Sequence, residues 1–592
     1  MVDLFESWGG VDFLKIDGVG PGSGHTNISG NNARYDNRAE IAAYDEDFQA
    51  TKHHVEIQVS WAVSEDYISD WQAYADSWRS SWDVESYGST LTTWSSVSSR
   101  LTGGLEWAKY AGPSTGWTNL DSLEIGNGTI DGLSDTERKT TMAMWSLASA
   151  PLYLGDDLTQ MDALGTKLAT NTDLLAVDSD PNVSSYTQVS QDGNSYVVAR
   201  TMKNGDVVVG LFNMGSSTKT ITTTVEDAYE AVDQSLTGRY AYWIKDLFTH
   251  KKMQTAGEIG ATLPAHGSAV YRISDAKGAT KATPFAYTEM SASSDSTAPG
   301  ASTTVLVKVH NTALTSMVKT KVALTAPAAW TVKTAVSVPS TILGERTATA
   351  KFKVTAPSSV TAAIASSTLS ATISYARGKV TQDTSTDLIL VSPLASDYTT
   401  ANTTGGTARF GQLDTTLAIS AAGSNVGPQT RGPGGASAAD EYGAIYREGA
   451  ADSTSTVTAT VTAQAGGSSA KAGIMVRNDM DADGSNVGAA LHLSNGYVQL
   501  AYNNGESGGT AYTSTLGGGN GPWAGSTTVP VSLKLIRDGD TYAASYSTDG
   551  STWIDVGSVT LAGQADTQDA GVFQSAGSST AAIAEFSNLN FS

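Results

Sequence analysis

A lysine and an aspartate stand two positions apart near the start of the chain, at the end of an apolar run. The run is Val11-Asp-Phe-Leu-Lys15-Ile-Asp17-Gly-Val. Since side chains alternate along a β-strand, Lys15 and Asp17 would point to the same side of it. In a (β/α)8 barrel, a carboxylate at the C-terminal end of a strand lies where such barrels carry out their chemistry.

A second acidic cluster follows an arginine further along the chain. It is Ser77-Trp-Arg79-Ser-Ser-Trp-Asp83-Val-Glu85. Taken singly, such an aspartate is more often a turn or capping residue, and such an arginine more often a surface residue. Two carboxylates brought together at a barrel mouth are the minimal equipment for cleaving a glycosidic bond. The joint pattern predicts that chemistry for Asp17 and Asp83.

The composition narrows the class of protein. At 592 residues the chain is too long for a single core, so several domains are expected. A net charge of −23 argues against nucleic acid and anionic membranes as partners. The absence of cysteine excludes disulfides and thiol chemistry. The histidines are scattered, and we assign no metal and no cofactor.

Short strands alternate with helices over residues 1–180, which predicts a parallel sheet covered or closed by helices. The predicted strands are Val11–Ile16, Val55–Trp61, a short one around Trp78, Leu123–Gly126 and Pro151–Gly155. The predicted helices are Asn37–Lys52, Glu65–Asp76, Ser86–Leu101 and Asp135–Ala150. Ser134 and Glu137 have the spacing of a capping box at the start of the last helix. This pattern is typical of a barrel-type α/β unit.

The rest of the chain is predicted to be all-β, which makes the fold class multidomain α/β plus all-β. Runs such as Val207–Phe212 predict an antiparallel β domain over residues 181–275. About seven strands over residues 285–393 predict an immunoglobulin-like sandwich. Further runs, such as Val531–Arg537, predict a lectin-like (concanavalin-like) sandwich over residues 400–592.

Several motifs in order resemble glycoside hydrolase family 27, the α-galactosidase or melibiase family. The resemblance runs from about Trp8 to Ser274. It rests on Val11–Asp17, Ser77–Asp83, Gly116–Gly128, Met144–Leu158, Leu211–Gly215 and Trp243–Leu247. The first three resemble the ends of the family's fourth, sixth and seventh barrel strands. The resemblance therefore implies a partial (β/α)8 TIM-type barrel, about strands 4–8.

The resemblance also implies roles for individual residues. Asp17 would be the nucleophile and Asp83 the general acid/base of a retaining enzyme for terminal α-galactosides. In such enzymes the two carboxyl groups lie about 5–5.5 Å apart. Galactose-containing oligosaccharides or polysaccharides would be the substrates. The implied substrate-binding residues are Lys15, Ser60, Trp61, Arg79 and Asp121, although Trp61 is as readily explained as a barrel core residue.

Two departures from the family pattern leave the sugar open. Asn119 and Leu120 stand where the family frequently has Asp-Pro. Ser60 stands where many α-galactosidases carry an acidic residue before the tryptophan. Related α-N-acetylgalactosaminidases have serine there, with a small residue where this chain has Val63. β-L-arabinopyranosidase activity, also found in this family, is a further alternative.

The family's first three barrel strands have no counterpart before Asp17. We therefore expect the chain to be an N-terminally truncated or mis-started copy of a longer secreted, extracellular enzyme. On its own it is expected to be weakly active or inactive. The competing class is a non-catalytic glycan-binding protein.

The last predicted domain has two further sequence signals. Asp479–Gly484 matches the start of a calcium loop but lacks its closing glutamate, which favours a hairpin turn. Aromatic residues there would form a sugar-stacking platform or be half-buried strand residues: Tyr497, Tyr502, Tyr512, Trp523 and Trp553.

Overall fold

A parallel sheet organises the first part of the chain. In the computed structural model its strands are β1 (Phe13–Ile16), β2 (Glu56–Val59), β3 (Ser77–Arg79) and β4 (Trp117–Asn119). They pair in parallel in the order β1-β2-β3-β4. The structure describes residues 2–21, 36–51, 53–86, 88, 90–182, 186–236, 241–276, 282–376, 382–423, 426, 440–466, 469–481, 487–503, 514–516 and 528–592.

Helices follow or separate these strands, as the alternating pattern predicts. They are α1 (Val2–Ser7), α2 (Arg38–Thr51), α3 (Ile68–Tyr74), α4 (Trp94–Trp107), α5 (Asp135–Ala148), α6 (Ala163–Ala169) and α7 (Thr172–Asp178). The predicted capping box is confirmed: the Ser134 side chain accepts from the Glu137 backbone, and the Glu137 side chain accepts from the Ser134 backbone. Short 3-10 turns cover Glu65–Tyr67, Ala108–Tyr110, Gly128–Ile130 and Leu158–Gln160.

Some of the predicted elements and boundaries in this unit are wrong. The predicted strands Leu123–Gly126 and Pro151–Gly155 are reduced to one parallel bridge between Leu123 and Leu154, whereas β4 was not predicted. Helix α4 begins at Trp94, well after Ser86, because Thr93 supplies the capping side chain. Helix α5 ends at Ala148, because Ser149 adopts a left-handed conformation two residues before a proline.

The core of the α/β unit continues into the next unit. Trp145 of α5 and Leu120 lie in one buried cluster with Val198, Phe212 and Val270 of the following β-strands. A second cluster, which includes Trp71 and Trp78, lies among α2, α3 and the parallel sheet. Helix α5 therefore packs against the second unit and against the segment that follows β4.

The second unit is an antiparallel β structure with one short helix, α8 (Val225–Glu230). Its two sheets have the strand orders β10-β9-β12-β7-β6-β5 and β11-β8. The predicted run Val207–Phe212 lies within β7. The strands are β5 (Thr187–Asp192), β6 (Ser195–Thr201), β7 (Val207–Asn213), β8 (Lys219–Thr224), β9 (Tyr242–Asp246), β10 (Lys252–Thr255), β11 (Glu258–Leu263) and β12 (Ser268–Asp275).

The third unit consists of two sheets, β13-β15-β19-β17 and β14-β21-β20-β16-β18. Its described residues form nine strands where about seven were expected, and two of the nine are only two residues long. Buried side chains of the second and third units form one continuous cluster. The strands are β13 (Ala286–Ala292), β14 (Ser296–Thr297), β15 (Ser302–Asn311), β16 (Met317–Thr325), β17 (Thr331–Val336), β18 (Thr341–Ile342), β19 (Arg346–Thr355), β20 (Ile364–Ala376) and β21 (Gln382–Val391).

The fourth unit is a pair of larger antiparallel sheets, β22-β25-β34-β27-β28-β29-β30 and β23-β24-β35-β26-β31-β32-β33. The predicted run Val531–Arg537 lies in β31. The strands are β22 (Thr399–Asn402), β23 (Arg409–Leu413), β24 (Thr416–Gly423), β25 (Gly443–Ala451), β26 (Thr456–Gln464), β27 (Lys471–Arg477), β28 (Gly488–Ser494), β29 (Tyr497–Asn503), β30 (Ser514–Leu516), β31 (Val531–Asp538), β32 (Thr541–Ser547), β33 (Ile554–Thr560), β34 (Gln568–Ser575) and β35 (Ser578–Phe591).

The suggested sugar-stacking platform does not hold for the two tyrosines that the structure describes. Tyr497 and Tyr502 stand five positions apart on β29, so they point to opposite faces of the sheet, and Tyr502 packs against the core. Trp553 lies elsewhere, with the Lys534 ammonium 4.0 Å from its ring centre. Tyr512, Trp523 and the end of the calcium-like segment, residues 482–484, lie outside the described residues.

The helices can also be compared with the requirements of a membrane span. In the part of the chain that the structure describes, none of them combines the length and the apolar character that crossing a bilayer requires.

Two glycines of the α/β unit make a matched test of the packing around β3 and β4. Gly116 has φ +108, and a Cβ there would lie 2.6 Å from the Asp76 carbonyl oxygen and from the Trp78 ring. We expect Gly116→Ala to lower the free energy of unfolding by about 3 kcal/mol. Gly103, inside α4, has open space around it. Gly103→Ala should raise the free energy of unfolding by about 0.5–1 kcal/mol, because alanine favours the helix more than glycine does.

Urea unfolding followed by tryptophan fluorescence measures both variants. Equal effects of the two substitutions would contradict the packing that the structure shows around Gly116.

Candidate active site

Four strand ends meet at one edge of the parallel sheet. The pairing register places Ile16 beside Val59, Val59 beside Trp78, and Arg79 beside Asn119. Parallel strands carry their C-terminal ends to the same edge, which is where α/β proteins place their functional groups. The residues that follow β1, β2 and β4 therefore come together with Arg79.

Asp17 lies at this edge, directly after β1, with an exposed side chain. Backbone hydrogen bonds continue past the strand ends: the Ser60 amide donates to the Ile16 carbonyl over 2.9 Å, and the Val19 amide donates to the Ser60 carbonyl over 3.1 Å. These bonds fix Asp17 beside Ser60.

Ser60 and Trp61 follow β2 at the same edge. Ser60 is fully buried. Trp61 is half-buried with a left-handed backbone (φ 101), and its ring lies 3.9 Å from the position that a Cβ of Gly18 would take. The indole therefore packs next to the Asp17–Gly18 turn, which is compatible with the predicted wall of a sugar site. Its role stays a prediction.

Asp121 lies at the centre of the charged groups. It is fully buried and has φ 81, a left-handed conformation that is uncommon outside glycine. One carboxylate oxygen accepts from Arg79 over 3.1 Å and from the Val84 amide over 2.9 Å. The other lies 3.9 Å from the Lys15 ammonium. Asp121 thus connects β1, β3 and the segment that carries Asp83.

Asp83 is bound by the other arm of the same guanidinium. Arg79 Nη2 donates to Asp83 Oδ1 over 2.6 Å, and only 4 % of the Arg79 side chain is exposed. Burial opposes the charge of this arginine, but Asp121 and Asp83 outweigh it, and the pKa of Arg79 lies above its usual range. Arg79 therefore stays charged and holds the two carboxylates together.

A second buried arginine, which the sequence reasoning missed, positions the segment around Asp83. Arg100 of α4 donates to Ser81 Oγ over 2.8 Å and to the carbonyls of Trp82 and Leu120. Burial lowers the pKa of Arg100 to about 10. A sequence signal existed: Arg100 shares one face of α4 with Val97 and Leu101, where a charged residue needs a buried partner.

Asn119 has a clear structural role at the position where the family frequently has aspartate. Its side-chain oxygen accepts from the Asp121 amide over 2.5 Å. Its side-chain nitrogen donates to the Tyr153 hydroxyl over 3.1 Å. The amide thus supports the left-handed turn at Asp121, and Tyr153, also missed from the sequence, completes this side of the site.

Next to these groups lie three hydrogen-bonded polar side chains that the sequence reasoning did not single out as a group: Glu85, Ser122 and Glu124. The Ser122 hydroxyl oxygen lies 2.6 Å from a carboxylate oxygen of Glu85 and 2.5 Å from one of Glu124. Burial raises the pKa of Glu124 to about 7, with a further contribution from the nearby negative charges. One carboxylate oxygen each of Asp83, Glu85 and Asp121 lie within 4.8 Å of one another.

The structure thus brings the predicted site residues together at one edge. Ion pairs join Lys15, Arg79, Asp83 and Asp121, while Asp17, Ser60 and Trp61 follow the two neighbouring strands. The arrangement places carboxylates and fixed cations around one edge of the sheet, as acid–base chemistry on a hydroxylated ligand requires. The individual roles stay predictions.

Comparison with known proteins finds similarity over the first half of the chain. The family model described as "Alpha galactosidase A" matches residues 2–180, and "Alpha galactosidase C-terminal beta sandwich domain" matches residues 192–273. The matched regions follow one another in the chain, the α/β unit first and the antiparallel β unit after it. Residues 2–180 and 192–273 are therefore similar to the α-galactosidase family, glycoside hydrolase family 27.

Individual relatives cover the same part of the chain. An α-galactosidase from Oryza sativa subsp. japonica is 28% identical over 270 residues, which are 46% of this chain and 58% of the relative. One from Coffea arabica is 32% identical over 268 residues, 45% of this chain and 64% of the relative. The crystal structure of α-galactosidase I from Mortierella vinacea has 22% identity and a TM-score of 0.39, covering 46% of this chain and 70% of that one. The chain therefore spans less than two thirds of these two plant relatives.

The buried ion pairs around Arg79 can be tested by removing one charge. Asp121→Asn keeps the size of the side chain and tolerates the left-handed backbone, but leaves Arg79 with one carboxylate fewer. We expect the free energy of unfolding to fall by about 3 kcal/mol, because a buried charge loses its partner. The control is Asp135→Asn: Asp135 is 78% exposed and lies 3.4 Å from Arg138.

Chemical denaturation followed by tryptophan fluorescence measures the stability of both variants. The control should change stability by less than about 0.5 kcal/mol. An equally small effect of Asp121→Asn would show that Arg79 does not depend on this carboxylate.

The raised pKa of Glu124 predicts a pH-dependent stability. In the folded chain this pKa is about 7, against an ordinary value of 4.5. Folding then favours the protonated carboxyl, so the stability it contributes is complete below pH 4.5 and is lost as the pH rises through 7. The loss amounts to about 3 kcal/mol. Denaturation of wild type and Glu124→Gln at pH 4.5 and 8 measures it.

The variant should lose less stability than wild type between these two pH values, by about the same amount. Identical pH dependence in the two proteins would mean that Glu124 ionises normally.

Proposed function

We propose that the chain carries the catalytic groups of a retaining exo-glycosidase for terminal α-D-galactosides. The observation that carries the proposal is the Arg79 guanidinium, which fixes Asp83 and Asp121 at the strand edge that Asp17 also occupies. Support also comes from the family that residues 2–180 and 192–273 resemble and from its α-galactosidase relatives.

The reaction would be a double displacement with Asp17 as nucleophile. Asp17 attacks the anomeric carbon while Asp83 gives its proton to the departing glycosidic oxygen. Asp83, now a carboxylate, then takes a proton from water, whose oxygen displaces Asp17 and releases the sugar with its configuration retained. Each carboxyl group ends in its starting state. Lys15 and Arg79 would bind sugar hydroxyls from this edge.

The proposal also ranks the sugars that the site would accept. Galactosides are favoured by the relatives, and a yeast α-galactosidase is described in a structure with raffinose. Ser60, fully buried after β2, keeps α-N-acetylgalactosaminides as the second candidate, since serine stands at this position in those relatives of the family. β-L-Arabinopyranosides, which lack the C6 group of galactose, are the third.

We propose a role and an architecture for the remaining units as well. Residues 1–180 would form about strands 4–8 of a TIM-type barrel, with the antiparallel domain over 181–275. Residues 285–393 would be an immunoglobulin-like spacer. Residues 400–592 would be a lectin-like module binding the polysaccharide substrate, outside the cell. The two sheets that make up each of these last two units support the proposed sandwich modules.

Substitution of Asp17 tests the proposed nucleophile. Asp17→Asn should lower kcat on nitrophenyl α-galactoside by roughly 10³-fold or more, because the amide cannot attack the sugar. Asp12→Asn is the matched control: Asp12 precedes the same strand and its side chain is 95% exposed. Parallel assays with the α-N-acetylgalactosaminide and the β-L-arabinopyranoside identify the sugar.

Turnover by Asp17→Asn equal to that of the control would eliminate this residue as nucleophile. No turnover of any of the three substrates by the unchanged chain, together with retention on insoluble galactomannan, would favour the glycan-binding alternative.

A further inference from the structure

One hydroxyl group, that of Ser122, lies between two carboxyl groups. Its oxygen is 2.6 Å from Glu85 Oε1 and 2.5 Å from Glu124 Oε1. A serine hydroxyl has one proton, so it can donate to only one of the two carboxylates. The second short contact is a hydrogen bond only if that carboxyl group donates to Ser122. Two contacts this short therefore favour one proton on this pair of glutamates.

The proton belongs on Glu124. Glu124 is only 2% exposed, whereas Glu85 is half-buried and closer to the open edge of the site. A protonated carboxyl group loses less on burial than a carboxylate. The largest electrostatic effects on Glu124 come from the anions Glu85, Asp121 and Asp156, and Arg100 is a cation that interacts with it. Three anions against one cation favour the neutral form.

The packing around Glu124 holds the hydrogen-bonded side chains of Glu85, Ser122 and Glu124 in place. A Cβ at Gly155 would lie 2.5 Å from Glu124 Oε1 and 3.2 Å from Ser122 Oγ. The backbone of residue 155 therefore covers the Ser122–Glu124 contact, and a larger residue there would push it apart. With Glu124 donating to Ser122, the Ser122 hydroxyl proton is directed at Glu85, which remains a carboxylate.

Glu85, on the other side of Ser122, lies close to the proposed acid/base. A carboxylate oxygen of Glu85 lies within 4.8 Å of one of Asp83. Arg79 stabilises the charged form of Asp83, which opposes its use as an acid. A fixed negative charge on Glu85 acts in the other direction and favours the protonated form. The orientation of Glu85 thus affects how readily Asp83 carries its proton.

We propose that Glu124 is a positioning residue that stores a proton and, through Ser122, fixes Glu85 as a carboxylate beside Asp83, where it keeps the acid/base protonated. The storage of the proton stands on the contacts alone. The effect on Asp83 rests on the proposed function, in which Asp83 is the general acid. The two parts are tested by separate measurements.

The stored proton is tested by carboxyl titration, without any substrate. In protein labelled with ¹³C at the glutamate side-chain carboxyl, one resonance should titrate near or above pH 6 and disappear in Glu124→Gln. Glu106→Gln, which removes a glutamate of α4, should leave that resonance in place. Ser122→Ala should shift it, because the acceptor for the proton is lost. If every glutamate titrates below pH 5, the proposal is overturned.

The effect on Asp83 is tested by the pH dependence of kcat/KM. Glu85→Gln should move the alkaline limb to lower pH by about 0.6 unit or more, the effect of one charge at this distance in water. Glu124→Ala and Ser122→Ala should move it in the same direction, since both release Glu85. Glu124→Gln, whose amide can still donate to Ser122, should recover most of the shift.

The outcomes separate the two hypotheses. Unchanged alkaline limbs in active Glu85→Gln and Ser122→Ala would overturn the positioning role while leaving the proposed function intact. Absence of turnover in every variant and in wild type, with the high-pH titration present, would overturn the proposed function and the effect on Asp83 but not the stored proton. Thermal unfolding of each variant shows whether a change in activity comes from loss of the folded structure.

Discussion

The arrangement of this site depends on one buried guanidinium. Arg79 is almost fully buried and bonds to Asp83 at 2.6 Å and to Asp121 at 3.1 Å. A charge in such a place is costly unless its partners satisfy it, so the fold has to bring both carboxylates to the end of β3. That requirement fixes the path of two separate segments, the turn to Asp83 and the bend at Asp121. The geometry of the site and the stability of the unit thus depend on the same contacts.

The bend at Asp121 is supported from outside the sheet. Its left-handed backbone is an unfavourable conformation, and Trp145 of α5 donates to its carbonyl over 3.1 Å. Helix α5 begins at the capping box and shares a buried cluster with Val198 and Phe212 of the second unit. The β unit is therefore part of what holds the site, because it fixes the helix that supports Asp121.

The sequence predicts elements with a strong local pattern well, and short strands and buried polar residues of the site poorly. Period-2 alternation located β1 and β2, and the Ser134–Glu137 spacing located the start of α5, because these signals are local. Strand β4 was missed because three residues carry too little pattern, and its end is set by the backbone at Asp121. Arg79 and Asp83 stood out as an acidic cluster after an arginine, whereas Asp121 was found through the family motifs. Tyr153 and Glu124 were missed because their importance comes from burial, which only the tertiary structure reveals, whereas Arg100 had a signal in its place on the apolar face of α4.

The balance of charge explains why a neutral acid belongs at this site. Lys15 and Arg79 form ion pairs with Asp83 and Asp121, and a carboxylate oxygen of Glu85 lies within 4.8 Å of both of these carboxylates, so the acids of this cluster outnumber its cations. Adding an ionised Glu124 behind Ser122 would increase the repulsion in a place that water does not reach. A proton on Glu124 removes that charge and turns the residue into a hydrogen-bond donor. The same proton then relieves the electrostatic cost of folding and orients the Glu85 carboxylate beside Asp83.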